Sequence, residues 1–451
     1  MIDRFKKLLF EPVSSASLGL FRIALGILIC WQFYRVEPYI TQILAKQKFF
    51  LTYDFFHWVK IGSPEQLKIL FKISYIFCLM LAVGVLTRIS ALFLFFSWTY
   101  IFLIDAGHYN NHYYLYSLIL FLMIFVKSDT SFSLKNLSKP HEKRAHRIPY
   151  WQLFIFKAQM VIVYFWGGVA KLDYDWLRGY PMHYWLKGQT SIAWLNELLS
   201  THEAALFFSY TGLFFDLSIG FLLWFKKTQR WALIPLATFH VSNHFLFSIG
   251  TFPWFSLAST ILFFDFSFLH KKIKQEVIKT SYPFKKVTFI LLSTYLIIQL
   301  LMPVRQYISK GEPSWHGVGH KFSWRMMLAD KIGKLKVKVK FPNDPIEHGI
   351  KLEEYICARQ FRKITRSSKY LWKFAYFLEE SAKSNGAPDL EVYVSAYKSF
   401  NGRVFQEFID STVDLTALKY QQIGMPSYVK QVDKSKPYKQ NNMEVSIGEL
   451  N

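Results

Sequence analysis

The sequence predicts an all-α polytopic membrane bundle of about nine transmembrane helices with a small extracytoplasmic α+β module at its C-terminus. Three observations carry that expectation. The chain of 451 residues is 52% hydrophobic and 19% aromatic, and its apolar residues fall in long runs. Its basic residues gather in the gaps between alternate runs, and beyond residue 304 both patterns stop.

The runs are Leu18–Val36, Ile69–Leu86, Ile89–Ile104, Tyr113–Val126, Leu153–Val169, Ala204–Phe225, Trp231–Phe247, Phe252–Leu269 and Val287–Val304. Most approach the roughly 20 residues that cross a bilayer, and the shorter ones gain length from flanking Trp and Tyr. The first follows Arg4, Lys6 and Lys7, contains Arg22 and lacks a small-residue cleavage pattern, so it reads as a membrane helix and not a signal peptide. The formal net charge of +23 invites a nucleic-acid partner, but its placement argues against one. Lys135, Lys139, Lys143, Arg144 and Arg147 form one basic connection; Lys226, Lys227 and Arg230 form a second; Lys271, Lys272, Lys274, Lys279, Lys285 and Lys286 form a third. With the N-terminus and the Thr87-Arg88 turn, all fall on one side, the cytoplasm by the positive-inside rule. Basic charge here records topology. Cys30, Cys78 and Cys357 lie too far apart for a disulfide framework or a metal-site spacing.

Residues 1–304 are thus read as the transmembrane domain, 305–420 as the extracytoplasmic module and 421–451 as a disordered, Lys/Asn-rich tail. In the module, "KLKVKVKF" (Lys334–Phe341) alternates with the period of a half-buried strand. Glu353–Ser384 has helical spacing and ends at Asn385-Gly386. Leu390–Asp410 reads as two strands around Asn401-Gly402, a dipeptide favoured in tight hairpin turns.

Polar residues of the bundle converge on the outer leaflet. They lie in "DAGHYNNHYYLY" from Asp105, in "KLDYD" from Lys171, in "FHVSNHFLFSIGTF" from Phe239, and in "HGVGHKFSWRMM" from His316. Intramembrane ionisable groups are functional candidates by default. Each also has a plainer reading: Asn110 and Asn111 as turn formers, His240, Asn243 and His244 as interhelical glue, Met326 and Met327 beside Trp324 as packing, and Arg22, Asp216 and Asp265 as internal ion-pair partners. Lys171, where its run gives out, either snorkels to the interface or is a desolvated base, and Asp173 and Asp175 favour its charged form or cap the loop. Gly167 and Gly168 leave room for a flat ring or a second helix. His108/His112 and His240/His244 have the i, i+4 spacing of a shared metal, but adjacent His-His pairs are missing and His108 falls in a turn, so no metal is expected.

The chain resembles the vitamin K-dependent γ-glutamyl carboxylase family, whose membrane part is the HTTM domain. The resemblance rests on "ASLGLFRIALGILI" at Ala16, "LTRISALFLFFSWTYIFLID" at Leu86, "NNHYYLY" at Asn110, "VYFWGGVAKLDYDWLRGY" at Val163, "FDLSIGFLL" at Phe215, "FHVSNHFLFSIGTF" at Phe239 and "FSWRMM" at Phe322, continuing weakly to about Leu415. It implies a peptidyl-glutamate 4-carboxylase. Such an enzyme couples oxygenation of vitamin K hydroquinone to its epoxide with proton abstraction from a peptide glutamate and addition of CO2. Lys171 then corresponds to the base that deprotonates the quinol, and His112 to a histidine of the carboxylation half-reaction. Asn110, Asn111, His240, Asn243, Gly167, Gly168, Trp324, Met326 and Met327 are expected around the quinol and the substrate.

The co-substrates implied are a reduced phylloquinone or menaquinone, O2 and CO2; the partners are a glutamate-containing peptide or protein, the bilayer and a quinone reductase. A compact bacterial homologue in the cytoplasmic membrane, its site on the extracytoplasmic face, is expected; a eukaryotic member would sit in the endoplasmic reticulum. Vertebrate members have Lys-Lys at Ala170-Lys171 and Trp at Tyr109, and they continue into a β-rich region that this sequence is expected to lack. Two other readings stay open: a quinol epoxidase without carboxylation, and a non-enzymatic membrane binding or transport protein of the same fold.

Overall fold

The computed structural model describes residues 2–140, 146–247, 249–270, 285–387, 389–420 and 424–438. Lys143, Arg144, Lys271, Lys272, Lys274 and Lys279 of the basic connections lie outside the described residues, as do 421–423 and 439–451 of the expected tail.

The first part is helical: α1 (Ile2–Leu9), α2 (Ala16–Pro38), α3 (Pro64–Val83), α4 (Thr87–Leu103), α5 (Asn111–Phe125), α6 (Leu134–Leu137), α7 (Trp151–Ala170), α8 (Met182–Leu186), α9 (Ala193–Leu199), α10 (His202–Trp224), α11 (Gln229–Phe247), α12 (Phe252–Ser259) and α13 (Lys285–Leu301). A two-stranded ribbon, β1 (Pro12–Ser14) with β2 (Arg147–Pro149), ties the N-terminal segment to the start of α7. Among the described residues, five helices are long and apolar enough to cross a membrane: Ala16–Lys46, Pro64–Val83, Trp151–Ala170, His202–Trp224 and Lys285–Tyr307. Thr87–Leu103, Asn111–Phe125 and Phe252–Phe263 are apolar but shorter, and Pro235, His240, Asn243 and His244 interrupt the apolar sequence of α11. Length and hydropathy by themselves therefore support five spans among the described residues and do not confirm the expected nine. The reason is local. A helix rises 1.5 Å per residue, so one of about 15 residues falls short of a core of about 30 Å. The shorter helices stop at polar connections, and Asp105 and His108 there are buried. Irregular backbone at such depth is tolerated where protein covers it or it lines a cavity.

Arg22 is not an ion-pair partner as expected. Fully buried on α2, it donates to the carbonyls of Ser128 at 2.8 Å, Ser131 at 3.2 Å, Phe132 at 2.5 Å and Ala82 at 3.2 Å, bracing the turn after α5. Asp265 likewise accepts from the backbone N–H of Ser267.

The remaining elements are α14 (Pro313–His316), β3 (Lys331–Lys340), β4 (His348–Gly349), α15 (Ala358–Ile364), α16 (Ser368–Ser384), β5 (Glu391–Phe400) and β6 (Gln406–Ile409). The strands form an antiparallel sheet in the order β4-β3-β5-β6. As the period of two requires, Leu335, Val337 and Val339 are buried while Lys336 and Lys338 are exposed. The turn after β5 places Asn401 at φ 52° and Gly402 at φ 78°, the left-handed pair that a tight hairpin demands. Two readings are corrected. The helix expected over Glu353–Ser384 is broken between α15 and α16, where the Thr365 hydroxyl turns back to the Phe361 carbonyl (3.1 Å) and Ser367 is extended. Residues 424–438, expected to be disordered, pack on the module: Tyr428 and Val429 are buried and Val429 bridges Ile409.

The module sits on the outer connections of the bundle. The Tyr370 hydroxyl donates to the Ala106 carbonyl at 3.0 Å, Gln360 bonds Asp105 at 2.8 Å, and Lys373 bonds the Thr52 carbonyl at 2.7 Å.

Candidate functional site

Lys171 caps the C-terminal end of α7, and it does not snorkel. It is buried, its ammonium forms an ion pair with the buried Asp216 of α10, and it lies 3.4 Å from the Gly167 carbonyl. The Trp176 ring covers it, 5.3 Å from Nζ to the centroid, and the indole N–H is anchored on the Ser209 carbonyl at 2.9 Å. Gly212, one turn before Asp216, lies alongside the lysine stem, and a Cβ there would stand in ordinary contact, 3.8 Å from Lys171 Cε.

The two aspartates nearer in sequence have other tasks. Asp173 accepts from the backbone N–H groups of Asp175 (3.0 Å) and Trp176 (3.3 Å), capping the turn. Asp175 is fully buried against the hairpin of the module. Arg403 grips it with two bonds, at 2.8 and 2.7 Å, and Asn401 adds a third at 2.8 Å. Tyr438 stacks on Tyr180 at 4.0 Å beside this contact. The hairpin tip is thus clamped to the loop that carries Trp176.

A cavity of ≈ 1490 Å³ joins these residues to most of the expected ones: Lys171, Asp216, Asn110, Asn111 and His112 line it, as do His240, Asn243, Met326 and Met327. His112 begins α5 and faces Phe252, ring centroids 5.7 Å apart. His240 shares a hydrogen bond of 2.9 Å with the Tyr164 hydroxyl, and its Nδ1 is buried without a partner. Asn111 donates to the Arg325 carbonyl and accepts from the Tyr109 hydroxyl, both at 2.7 Å, which pins the segment carrying Met326 over the start of α5. Phe207, Phe214 and Ile234 extend the lining to the outer surface of the bundle, where they are exposed.

Three expected residues lie elsewhere. Gly168 faces α10, where an added Cβ would meet Leu217 at 2.8 Å, so it serves helix packing. Gly167 admits Asp216 and Met326, each 3.2 Å from its virtual Cβ. Trp324 is buried against Tyr114, centroids 5.2 Å apart, outside the cavity lining. Of the four spaced histidines, His112 and His240 reach the cavity, while His108 stacks on Tyr39 and His244 packs on Trp254. Among the described residues, no group of three or more His, Cys, Asp or Glu is placed to hold a metal ion.

The outer wall was not legible in advance. Arg325, Lys331, Arg359, Lys363 and Arg366 all line the cavity. Lys331 donates to the Ser314 carbonyl (2.9 Å), Lys363 to that of Tyr109 (3.1 Å) and Arg366 to that of Lys331 (3.1 Å). Burial, then the cations of Arg366 and Arg325, lower the Lys331 pKa to about 7; burial, then Arg366 and Arg359, lower that of Lys363 to about 8.

Residues 10–268, more than half of the chain, match the family model described as the HTTM domain. Residues 284–435 match that of the vitamin K-dependent gamma-carboxylase, lumenal domain. No solved structure matches the chain. The membrane bundle, the module clamped to it and these two consecutive matches agree, and the chain belongs to the vitamin K-dependent γ-glutamyl carboxylase family.

Proposed function

We propose that the protein is a membrane γ-carboxylase that couples oxygenation of a reduced naphthoquinone to carboxylation of peptide glutamate. The observation that carries this reading is one cavity bearing Lys171 with Asp216 at its apolar end and a row of cations at its aqueous end. A prenylated quinol dissolves in lipid and a glutamate side chain in water, so a single site for both needs these two kinds of wall. The exposed Phe207, Phe214 and Ile234 mark the entrance for the quinol. The ring then lies among Phe215, Phe239 and Met326, which are apolar and line the cavity. His240, with Nδ1 unpartnered, and Asn243 are the polar groups available to its oxygens.

Lys171 and Asp216 act as one unit. Taken out of water, an ion pair loses much of its advantage over the neutral amine and carboxylic acid. Lys171 in the neutral form accepts the quinol proton, and Asp216 holds the proton that it shed. The quinol and oxygen supply the strong base that removes the glutamate γ-proton, and CO2 adds to the carbanion. His112, across the cavity on α5, serves the carboxylation half. The epoxide leaves into lipid, where a separate two-electron reduction must return it to the quinone, with loss of water, before a quinone reductase regenerates the quinol. In the topology we propose, α2–α5, α7 and α10–α13 form nine spans, the shorter helices ending at the cavity, with the module outside.

The test is incorporation of labelled CO2 into a short glutamate peptide, measured together with quinone epoxide, for the wild type and Lys171→Ala. Both products, each lost in the variant, are expected. Epoxide without incorporation would replace carboxylase by epoxidase. Neither product from a protein that binds the naphthoquinol would sink the enzyme.

A further inference from the structure

The outer wall of the cavity holds more positive charge than one glutamate side chain can answer. Arg325 meets a carboxylate, Glu312 at 3.4 Å, which Lys434 shares at 2.9 Å. Lys331, Lys363 and Arg366 bond backbone carbonyls instead. Arg359 lies over the Tyr39 ring at 4.5 Å. An ammonium has three donors and a guanidinium five, so each keeps donors to spare.

Nearby carboxylates do not close the gap. Asp330 acts on Arg366, and Asp105, already bonded to Gly107 and Gln360, acts on Lys363. Arg362 adds further positive charge from α15, and Glu312 acts on Lys331. Lys321 of the same wall has its pKa pushed well below the usual lysine value by burial and then by the neighbouring lysines, Lys363 among them. His320 lines the same wall, and burial with the neighbouring cations pushes its pKa well below the usual histidine value, so it stays neutral. Like charges packed this closely repel, and an anion that enters relieves the repulsion.

We propose that this wall is a binding site for a geminal dicarboxylate, and so grips a carboxylated side chain more firmly than the glutamate from which it forms. The proposal rests on the reaction assigned above, because that reaction converts one carboxylate into two on a single carbon. One carboxylate engages one or two cations and leaves the others repelling. Two carboxylates on one carbon present four oxygens to the donors of Lys331 on β3, of Arg359 and Lys363 on α15, and of Arg325 and Arg366 in the connections beside them. Release of product, on this view, opposes the attraction of the wall, and the anion holds Lys331 and Lys363 in their charged forms. Rising pH weakens the grip, because the free amines lose protons as pH passes about 7 for Lys331 and about 8 for Lys363.

The experiment uses the full-length protein in detergent and two soluble probes, malonate and propionate, titrated by calorimetry at pH 6.5 and 8.5. Malonate is expected to bind at least tenfold more tightly than propionate at pH 6.5, with that preference shrinking at pH 8.5. Lys363→Gln and, separately, Arg359→Gln are expected to reduce the preference several-fold while the thermal melt stays cooperative. Equal binding of the two probes would overturn the proposal, and so would a preference that both folded variants retain. Inorganic phosphate binding as tightly as malonate would overturn it as well, by showing a general anion site. Selective malonate binding without any carboxylation would leave the dicarboxylate site standing and remove the reaction; carboxylation without malonate preference would do the reverse.

Discussion

The two ends of the cavity solve opposite electrostatic problems. At the inner end one ammonium, Lys171, meets one carboxylate, Asp216, under an indole ring. At the outer end Arg325, Lys331, Arg359, Lys363 and Arg366 line the wall together with Lys321, and Lys331, Lys363 and Arg366 rest on backbone carbonyls. The inner pair is closed on itself and neutral overall, which suits an apolar reactant and the exchange of a single proton. The outer row is open and unsatisfied, which suits charged reactants arriving from water. On the function proposed above, what sets Lys171 apart as the base is its carboxylate partner and not burial alone. Lys331 and Lys363 carry lowered pKa values without being candidates for the quinol base, because they stand among cations at the aqueous end.

The sharpest way to break this comparison is to remove the inner carboxylate. Asp216→Leu leaves Lys171 alone in an apolar pocket. Epoxide formation is expected to fall by about two to four orders of magnitude, the range of a lost proton-transfer group. Breaking one side of a buried pair also costs about 3–5 kcal/mol, whereas removing both sides costs far less. Lys171→Met with Asp216→Leu should therefore recover the melting temperature of the wild type without recovering epoxide. If Asp216→Leu keeps full epoxidation, Asp216 merely braces α10 against α7.

The clamp between the two regions comes next. Arg403→Gln leaves Asp175 buried with its bond from Asn401 alone, and a loss of about 3–5 kcal/mol is expected in denaturation experiments. Asp175→Asn in the same chain should return a good part of it, as a double-mutant cycle would reveal. Because Asp175 adjoins Trp176, the variant is expected to lower kcat for epoxide formation about tenfold at unchanged peptide KM. A rise in KM alone would place the clamp's influence on the outer wall and not on Lys171.

The sequence made the bundle, the hairpin and the convergence of polar segments legible, since apolar runs, a period of two and Asn401-Gly402 are local signals. Lys171, His112, His240, Asn243 and Met326 share a cavity because the segments that carry them end on one side. Partnerships were not legible. Asp173 and Asp175 are two and four residues from Lys171, yet the ion pair comes from Asp216, forty-five residues away on another helix. Its signal, an aspartate inside the apolar "FDLSIG", was present but pointed to no partner. Gly168 was read as room for a flat ring or a second helix, and it is the helix α10 that takes the space, a choice that nothing local in the sequence makes. The outer wall escaped because Arg359, Lys363 and Arg366 look like the solvated face of an amphipathic helix until α15 is seen lying on Asp105 and Tyr109. That reading of Gly168 has a modest test: Gly168→Ala presses a methyl against Leu217 and is expected to cost about 1–3 kcal/mol of stability, with quinol affinity in the folded fraction unchanged.

The smallest expected effect separates the two ends without any mutation. A glutamate side chain ionises near pH 4.3, so a peptide substrate is anionic throughout the neutral range. Lys331 and Lys363 have pKa values lowered to about 7 and about 8, so they are charged below those values and neutral above them. Between pH 6.5 and 8.5 the wall thus loses up to two positive charges while the substrate keeps its own. Peptide KM is expected to rise several-fold across that interval. The guanidinium groups of Arg325, Arg359 and Arg366 remain in the wall and hold the rise to this modest size. Binding of the uncharged quinol at the far end should not follow the same curve. A KM for peptide that is flat from pH 6.5 to 8.5, measured with the quinol saturating, would mean that the substrate carboxylate does not feel the lysines of the outer wall, and the contrast between the ends would then lie in the arginines alone.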